Sequence, residues 1–155
     1  MSSAIKPGDT CPSLTLPTTD SSDLRLPPAN GRGLIVFFYP RDNTSGCTTE
    51  AQDFSAQKSV FAHNGYDIVG ISRDSLESHR KFIDKQGLSV PLASDEDGKA
   101  CEAFGVWVEK KMYGKTFMGI ERSTFSISPD GKILQAWRKV RVKGHVEEVL
   151  ANIEA

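Results

Sequence analysis

Cysteine is scarce in this chain. Cys11, Cys47 and Cys101 are the three in 155 residues, 36 and 54 residues apart, and no two form a Cys-x-x-Cys pair. That excludes a disulfide scaffold and argues against a dithiol oxidoreductase. His63, His79 and His145 are isolated as well, so zinc-ligand spacing is missing and neither a metal nor a cofactor is expected. No run approaches the roughly 18 apolar residues of a membrane span, and Met1–Lys6 has no apolar stretch fit for a signal peptide. Charge of one sign is also lacking: 19 basic residues face 20 acidic ones, for a net charge of −1. No block of like charge points to nucleic acid or a membrane surface. The densest basic stretch, Lys139-Val140-Arg141-Val142-Lys143, reads as a solvated strand edge or loop. No phosphate loop, nucleotide fingerprint, internal repeat or low-complexity segment occurs. What remains is an ordinary globular composition, 38% hydrophobic and 25% charged. The expectation is a single cytoplasmic domain, residues 1–155. A sparse, odd set of cysteines in a reducing compartment points to catalysis or redox sensing rather than stapling.

The chain alternates strand and helix signals. Leu14 and Leu16 alternate as in a short strand, and Leu34–Tyr39 is a continuous apolar run suited to a strand buried on both faces. A helix is expected from Thr48 to about His63, with Ala51, Phe54, Lys58 and Phe61 on one face and the Lys58 stem laid along it. Tyr66–Ser72 reads as a second buried strand. Leu76–Gln86 reads as a helix stopped by Gly87, and Gly98–Phe104 as a short one. Val106–Arg122 shows no regular pattern. Ser123–Ser128 and Ile133–Arg138 flank Pro129-Asp130-Gly131-Lys132, a strong hairpin signal. Val146, Val149, Leu150 and Ile153 mark a last helix. The order β-α-β-α-(α)-β-β-α implies an α/β fold: parallel pairing, with the hairpin as an antiparallel edge.

Cys47 stands out within this frame. It follows the strand ending at Tyr39-Pro40, in a polar, glycine-containing loop that hands over to a helix. There the unpaired N–H groups and the positive end of the helix dipole favour an anion, and the thiolate is a cysteine's reactive form. Free cysteines are usually buried and inert. Cys101 fits that description and Cys11 is expected to be inert too, but Cys47 has only polar or glycine neighbours.

The string Phe38-Tyr39-Pro40-Arg41-Asp42-Asn43-Thr44-Ser45-Gly46-Cys47-Thr48-Thr49-Glu50 contains Pro-x-x-x-Thr-x-x-Cys and resembles the active-site signature of the peroxiredoxins. In detail it resembles the peroxiredoxin Q or bacterioferritin comigratory protein group. Further matches are Ser94-Asp95-Glu96-Asp97-Gly98, Phe104-Gly105-Val106-Trp107, Tyr113-Gly114-Lys115 and Gly119-Ile120-Glu121-Arg122-Ser123-Thr124-Phe125, so the likeness runs from about Lys6 to the C-terminus. It implies a thioredoxin-like fold, a central mixed sheet flanked by helices, and a thiol-dependent peroxidase. Cys47 would be the nucleophile, oxidised to a sulfenic acid by hydrogen peroxide or an organic hydroperoxide. The resemblance makes Thr44 a hydrogen-bond partner of the thiolate or peroxide, besides a helix cap. It makes Arg122 the cation that favours the thiolate and stabilises the leaving oxygen, and Pro40 a cover over the cysteine. Glu50 either orients the arginine or is an ordinary first-turn acid. Tyr39, Trp107, Phe117 and Met118 are candidates for the substrate mouth, although core packing is the expectation for each.

The chain departs from its relatives where many carry a second, resolving cysteine. The position five residues after Cys47 is Gln52, and no cysteine lies near Phe82 or Ile83. Either Cys101 resolves Cys47 after local unfolding, or an outside thiol does. The outside thiol is the favoured reading: thioredoxin, glutaredoxin with glutathione, or another low-molecular-weight thiol. The resemblance further implies a monomer or weak dimer. The alternative function is a peroxide sensor that relays oxidation to a protein partner. A redox-silent chaperone-like domain is disfavoured by the joint presence of Pro40, Thr44, Cys47 and Arg122.

Overall fold

The structure is a computed structural model and describes residues 5–20 and 22–153. In chain order the elements are β1 (Leu14–Leu16), β2 (Leu24–Leu26), β3 (Gly33–Phe38), α1 (Ser45–Ala56), α2 (Lys58–His63), β4 (Tyr66–Ser72) and α3 (Leu76–Gln86). There follow β5 (Leu92–Ser94), α4 (Lys99–Ala103), β6 (Trp107–Met112), β7 (Lys115–Ile120), β8 (Ser123–Ile127), β9 (Ile133–Trp137) and α5 (His145–Ile153). Five strands form the central sheet in the order β5-β4-β3-β8-β9. β3 pairs parallel with β4, and β4 with β5; β3 pairs antiparallel with β8, and β8 with β9. The sheet is mixed, as the pattern of elements implies. The antiparallel hairpin does not simply add an edge, because β8 lies directly against β3 and only β9 is the outer strand.

The continuous apolar run of β3 is split by the strand's period of two. Leu34, Val36 and Phe38 face one core, which they share with Cys11, Leu16, Leu26, α4 and the near ends of β6 and β7. Ile35, Phe37 and Tyr39 face the other, filled by Cys47, Ala51 and Phe54 of α1, Phe61 of α2, Phe82 of α3 and Val146 and Val149 of α5. Phe37 stacks on Phe54 at 4.6 Å between ring centroids. The helix that carries Cys47 is therefore clamped to the central strand by aromatic packing within two turns of the thiol.

Three sequence expectations change. The single helix to His63 is broken at Gln57, whose N–H turns to Phe54 O at 3.2 Å in a tighter i−3 bond. Lys58 accordingly starts a new helix, lies exposed, and donates from Nζ to Ser89 O at 2.8 Å instead of lining the core. The irregular stretch 106–122 is a β-hairpin, β6 paired with β7, turned by Tyr113 and Gly114 at φ 52° and 76°, the two positive φ values of a type I′ turn. It pairs with no strand of the central sheet, so its far half has no covering layer. That is why Phe117 and Met118 are 44% and 49% exposed rather than in the core. Tyr39 is fully buried as expected, and Trp107 is half-buried beneath the Arg73 guanidinium, 4.6 Å from its ring.

Candidate active site

Helix α1 begins three residues earlier than the sequence suggests. Thr44 is its N-cap, with extended backbone at φ −88° and ψ 153°, and Thr44 O accepts the first intrahelical bond from Thr48 N at 2.9 Å. Cys47 is the third helical residue, within the turn whose N–H groups have no helical partner. It is buried, 1% exposed. Cys47, Glu50, Ala51 and Phe54 follow the i, i+3, i+4, i+7 rule and form the buried stripe of α1.

Arg122 enters from the segment between β7 and β8, 75 residues away, and its guanidinium forks over this stripe. Nη2 donates to Cys47 Sγ at 3.3 Å and Nη1 to Glu50 Oε1 at 2.6 Å. The backbone of Arg122 is pinned, because its carbonyl accepts from Val140 N at 3.0 Å. Gly46 supplies the space: a Cβ there would sit 3.3 Å from Arg122 Nη2. Glu50 is thus more than a dipole-satisfying acid. It lies fully buried against the arginine, with Oε2 lacking a hydrogen-bond partner among the described residues.

Burial pushes the Glu50 carboxyl up to about 7, against the lowering effect of Arg122. Folding therefore retains a proton that the unfolded chain releases near its ordinary value of 4.5. The associated stability is fully present below that value and is lost as pH rises towards 7. We expect Glu50→Gln, measured by thermal or denaturant unfolding, to gain roughly 3 kcal/mol relative to the parent between pH 4.5 and pH 7 and beyond. A difference that does not vary with pH would return Glu50 to the ordinary carboxyl range.

Thr44 is exposed, and its Oγ1 donates to Arg41 O at 2.9 Å rather than capping α1 or touching Cys47. The cap is one of backbone position only. Pro40 is half-buried directly after Tyr39, where it ends the strand run. Cys101 is fully buried in the core on the opposite side of β3 from Cys47. Its thiol is held far above the ordinary range by burial and by the Asp95 carboxylate, which also accepts from Cys101 N at 2.9 Å. The sheet therefore stands between Cys101 and Cys47. Cys11 lies in the same core as Cys101, its thiol pushed up to about 11 by burial.

Two neighbours of the site were invisible to sequence reasoning. Lys110 on β6 lies close enough to interact with both Arg122 and Cys47. His145, read as isolated, is buried against Phe54 and Trp137 and within 2.8 Å of Thr124 Oγ1; burial and then Arg122 push it down to about 4. A third group lies just upstream. Asp42, Asp74 and His79 bring their side-chain ligand atoms within 4.8 Å of one another. The described atoms are already engaged by Tyr39, Ser72, Ser78 and backbone groups. The group is a hydrogen-bond network rather than an open metal cradle.

A thiol held at a helix N-terminus under a forked arginine defines a class of cysteine nucleophile, and known proteins give that class its family. The AhpC/TSA family model matches residues 7–136. Peroxiredoxin Bcp of Xanthomonas campestris pv. campestris is 54% identical over 125 residues, covering 81% of this chain and 78% of that protein. The solved PrxQ mutant of Xylella fastidiosa superposes with a TM-score of 0.92 at 41% identity, over 99% of this chain and 98% of that one. The bacterioferritin comigratory protein of Xanthomonas campestris, solved as trapped intermediate and ligand complexes bearing on its alkyl peroxide reduction, gives 0.85 at 48% identity, over 91% and 90%. This chain belongs to the AhpC/TSA family, as a peroxiredoxin of the Q or bacterioferritin comigratory protein group with a thioredoxin-like fold.

Proposed function

We propose that this peroxiredoxin reduces hydrogen peroxide and organic hydroperoxides at Cys47 by a one-cysteine mechanism completed by an outside thiol. The Cys47 thiolate attacks the terminal peroxide oxygen. The S–O bond forms as the O–O bond breaks, giving a sulfenic acid and an alkoxide or hydroxide that takes up a proton. Arg122 stabilises the charge gathering on the leaving oxygen, and Glu50 holds the fork of Arg122 in place. Thr44, once its hydroxyl leaves Arg41 O, would orient the peroxide, and Pro40 would help exclude water. A first external thiol then displaces water from the sulfenic acid to form a mixed disulfide. A second thiol releases Cys47 and leaves as the disulfide of the reductant. Thioredoxin, glutaredoxin or a low-molecular-weight thiol can fill that role. Alkyl peroxide reduction by the Xanthomonas relative supports the substrate class.

The observation that carries this reading is the 3.3 Å contact from Arg122 Nη2 to Cys47 Sγ, with Cys101 across the sheet. The test is intact mass and peptide mapping of the reduced protein after one equivalent of peroxide, in the presence of a sulfenic-acid trap. We expect the adduct on Cys47, Cys101 still free, and most of the thiol-supported turnover retained in Cys101→Ser. A Cys47–Cys101 disulfide without adduct would replace the outside thiol by an internal one. A stable mixed disulfide with one particular protein, and no turnover with general reductants, would favour the sensor and relay reading.

A further inference from the structure

We propose that Asp42 and His79 form a buried latch that fixes the loop ahead of Cys47 and sets how readily the first turn of α1 opens. The two residues are positioning groups; neither touches the reacting sulfur.

The loop from β3 to α1 is exposed at Arg41, Asn43 and Thr44, but Asp42 turns inward and is 6% exposed. Its side chain accepts three hydrogen bonds: from Tyr39 OH on Oδ1 at 2.6 Å, and on Oδ2 from Ser78 Oγ at 2.7 Å and His79 Nδ1 at 2.8 Å. Its N–H donates to Asp74 Oδ2 at 2.9 Å, and Asp74 is tied in turn to Ser72 Oγ at 2.6 Å and, through its carbonyl, to Ser94 Oγ at 2.6 Å. His79, fully buried, closes the set by bonding Ala93 O on β5 from Nε2 at 2.9 Å. One loop residue is thereby fastened to β3, β4, α3 and β5.

The hydrogens can be counted across the pair. A carbonyl can only accept, so Nε2 of His79 carries a hydrogen. Nδ1 faces Asp42 Oδ2 at 2.8 Å, and two lone pairs at that distance would repel, so a proton lies between them. Burial raises the Asp42 carboxyl, but the hydrogen bonds from His79, Tyr39 and Ser78 outweigh it and hold it lowered. Removing one partner leaves the other as an uncompensated buried group, which is far costlier than never having had the pair.

The latch matters because of where Cys47 sits. It is 1% exposed. A small peroxide needs only a narrow approach, but a thiol on a second molecule must reach the oxidised sulfur itself, so the first turn has to open. The side chain of its N-cap residue, Thr44, does not cap that turn. Asn43 holds a left-handed φ of 63° beside Asp42, and the Thr44 hydroxyl ties back to Arg41 O within the same exposed loop. Upstream restraint therefore falls on Asp42. With the latch broken, the turn spends more time open: attack on peroxide slows and reduction of the sulfenic acid speeds up.

The kinetic half of this inference rests on Cys47 being the peroxide-reactive thiol; the opening itself does not. The test is hydrogen exchange of reduced His79→Gln, read at residues 43–49 against β3 and β4, together with the rate at which a bulky maleimide labels Cys47. We expect exchange and labelling at 43–49 to rise about tenfold or more, with the strands unchanged, and the ratio of the reductive to the peroxide rate constant to rise with them. A uniform rise across the fold, or none at 43–49, would overturn the latch. Should His79→Gln not fold, Tyr39→Phe removes one bond to Asp42 at nearly constant volume. It should show the same local change at smaller size, and no change there would overturn the proposal equally. Unaltered peroxide chemistry with increased opening would instead leave the latch standing and remove Cys47 from its proposed role.

Discussion

Cys47→Ser is expected to lower peroxide consumption by roughly 10⁴-fold or more, to the rate of peroxide with the reducing thiol alone. The argument is one of electrons. Breaking the O–O bond takes two, and sulfur supplies them by becoming a sulfenic acid. A serine hydroxyl, un-ionised near neutral pH and not oxidised in this way, has none to give. Neither of the other cysteines can substitute. Cys11 and Cys101 share a core on the far side of the sheet, and burial holds both thiols above the range in which they ionise near neutrality. The substitution is small, and Arg122 can donate to a serine oxygen as it does to Cys47 Sγ, so the unfolding midpoint should move little. Direct peroxide assay with dithiothreitol as reductant decides the matter. Residual turnover of more than a few per cent in a folded Cys47→Ser protein would move the chemistry elsewhere.

How far the sequence could reach depended on whether a feature is written along the chain or across it. Helix α3 is local: Ser75 accepts from Ser78 N at 3.1 Å as its N-cap, Gly87 takes φ 63° beyond its end, and the span Leu76–Gln86 matches the expected one. Strand β4 likewise matches as Tyr66–Ser72. The β6–β7 hairpin escaped because Glu109, Lys110 and Lys111 interrupt any alternation, and because its exposed far half obeys no burial rule. The site shows the same division. Cys47 and its helix terminus can be read from consecutive residues, whereas an arginine 75 positions away looks like a surface charge unless the family resemblance singles it out. His79 is harder still, since it meets Asp42 across 37 residues and its isolation in sequence argued only against zinc. The sheet between Cys47 and Cys101 follows from the topology and could not be read from their spacing.

Arg122→Ala should lower the rate constant for peroxide by about 10²–10³, as expected for loss of a positioned donor to a developing oxyanion. Two effects are superposed in that figure, and two electrophiles separate them. Haloacetamide alkylation needs the thiolate but places no charge on an oxygen. Peroxide needs the thiolate and also creates an alkoxide or hydroxide beside the guanidinium. If Arg122 acts on the leaving oxygen, the peroxide rate falls much further than the alkylation rate; if it only favours the thiolate, the two fall together. Arg122→Lys should rescue little, because one ammonium cannot reproduce a fork that meets Glu50 Oε1 at 2.6 Å and Cys47 Sγ at 3.3 Å at once. The same loss reaches Glu50. Arg122 is what opposes the effect of burial on its carboxyl, so without the arginine that carboxyl rises above about 7 and is protonated at neutral pH. Titrating the variant's stability against pH reads that shift without peroxide, so the ion pair and the catalytic role of Arg122 are tested separately.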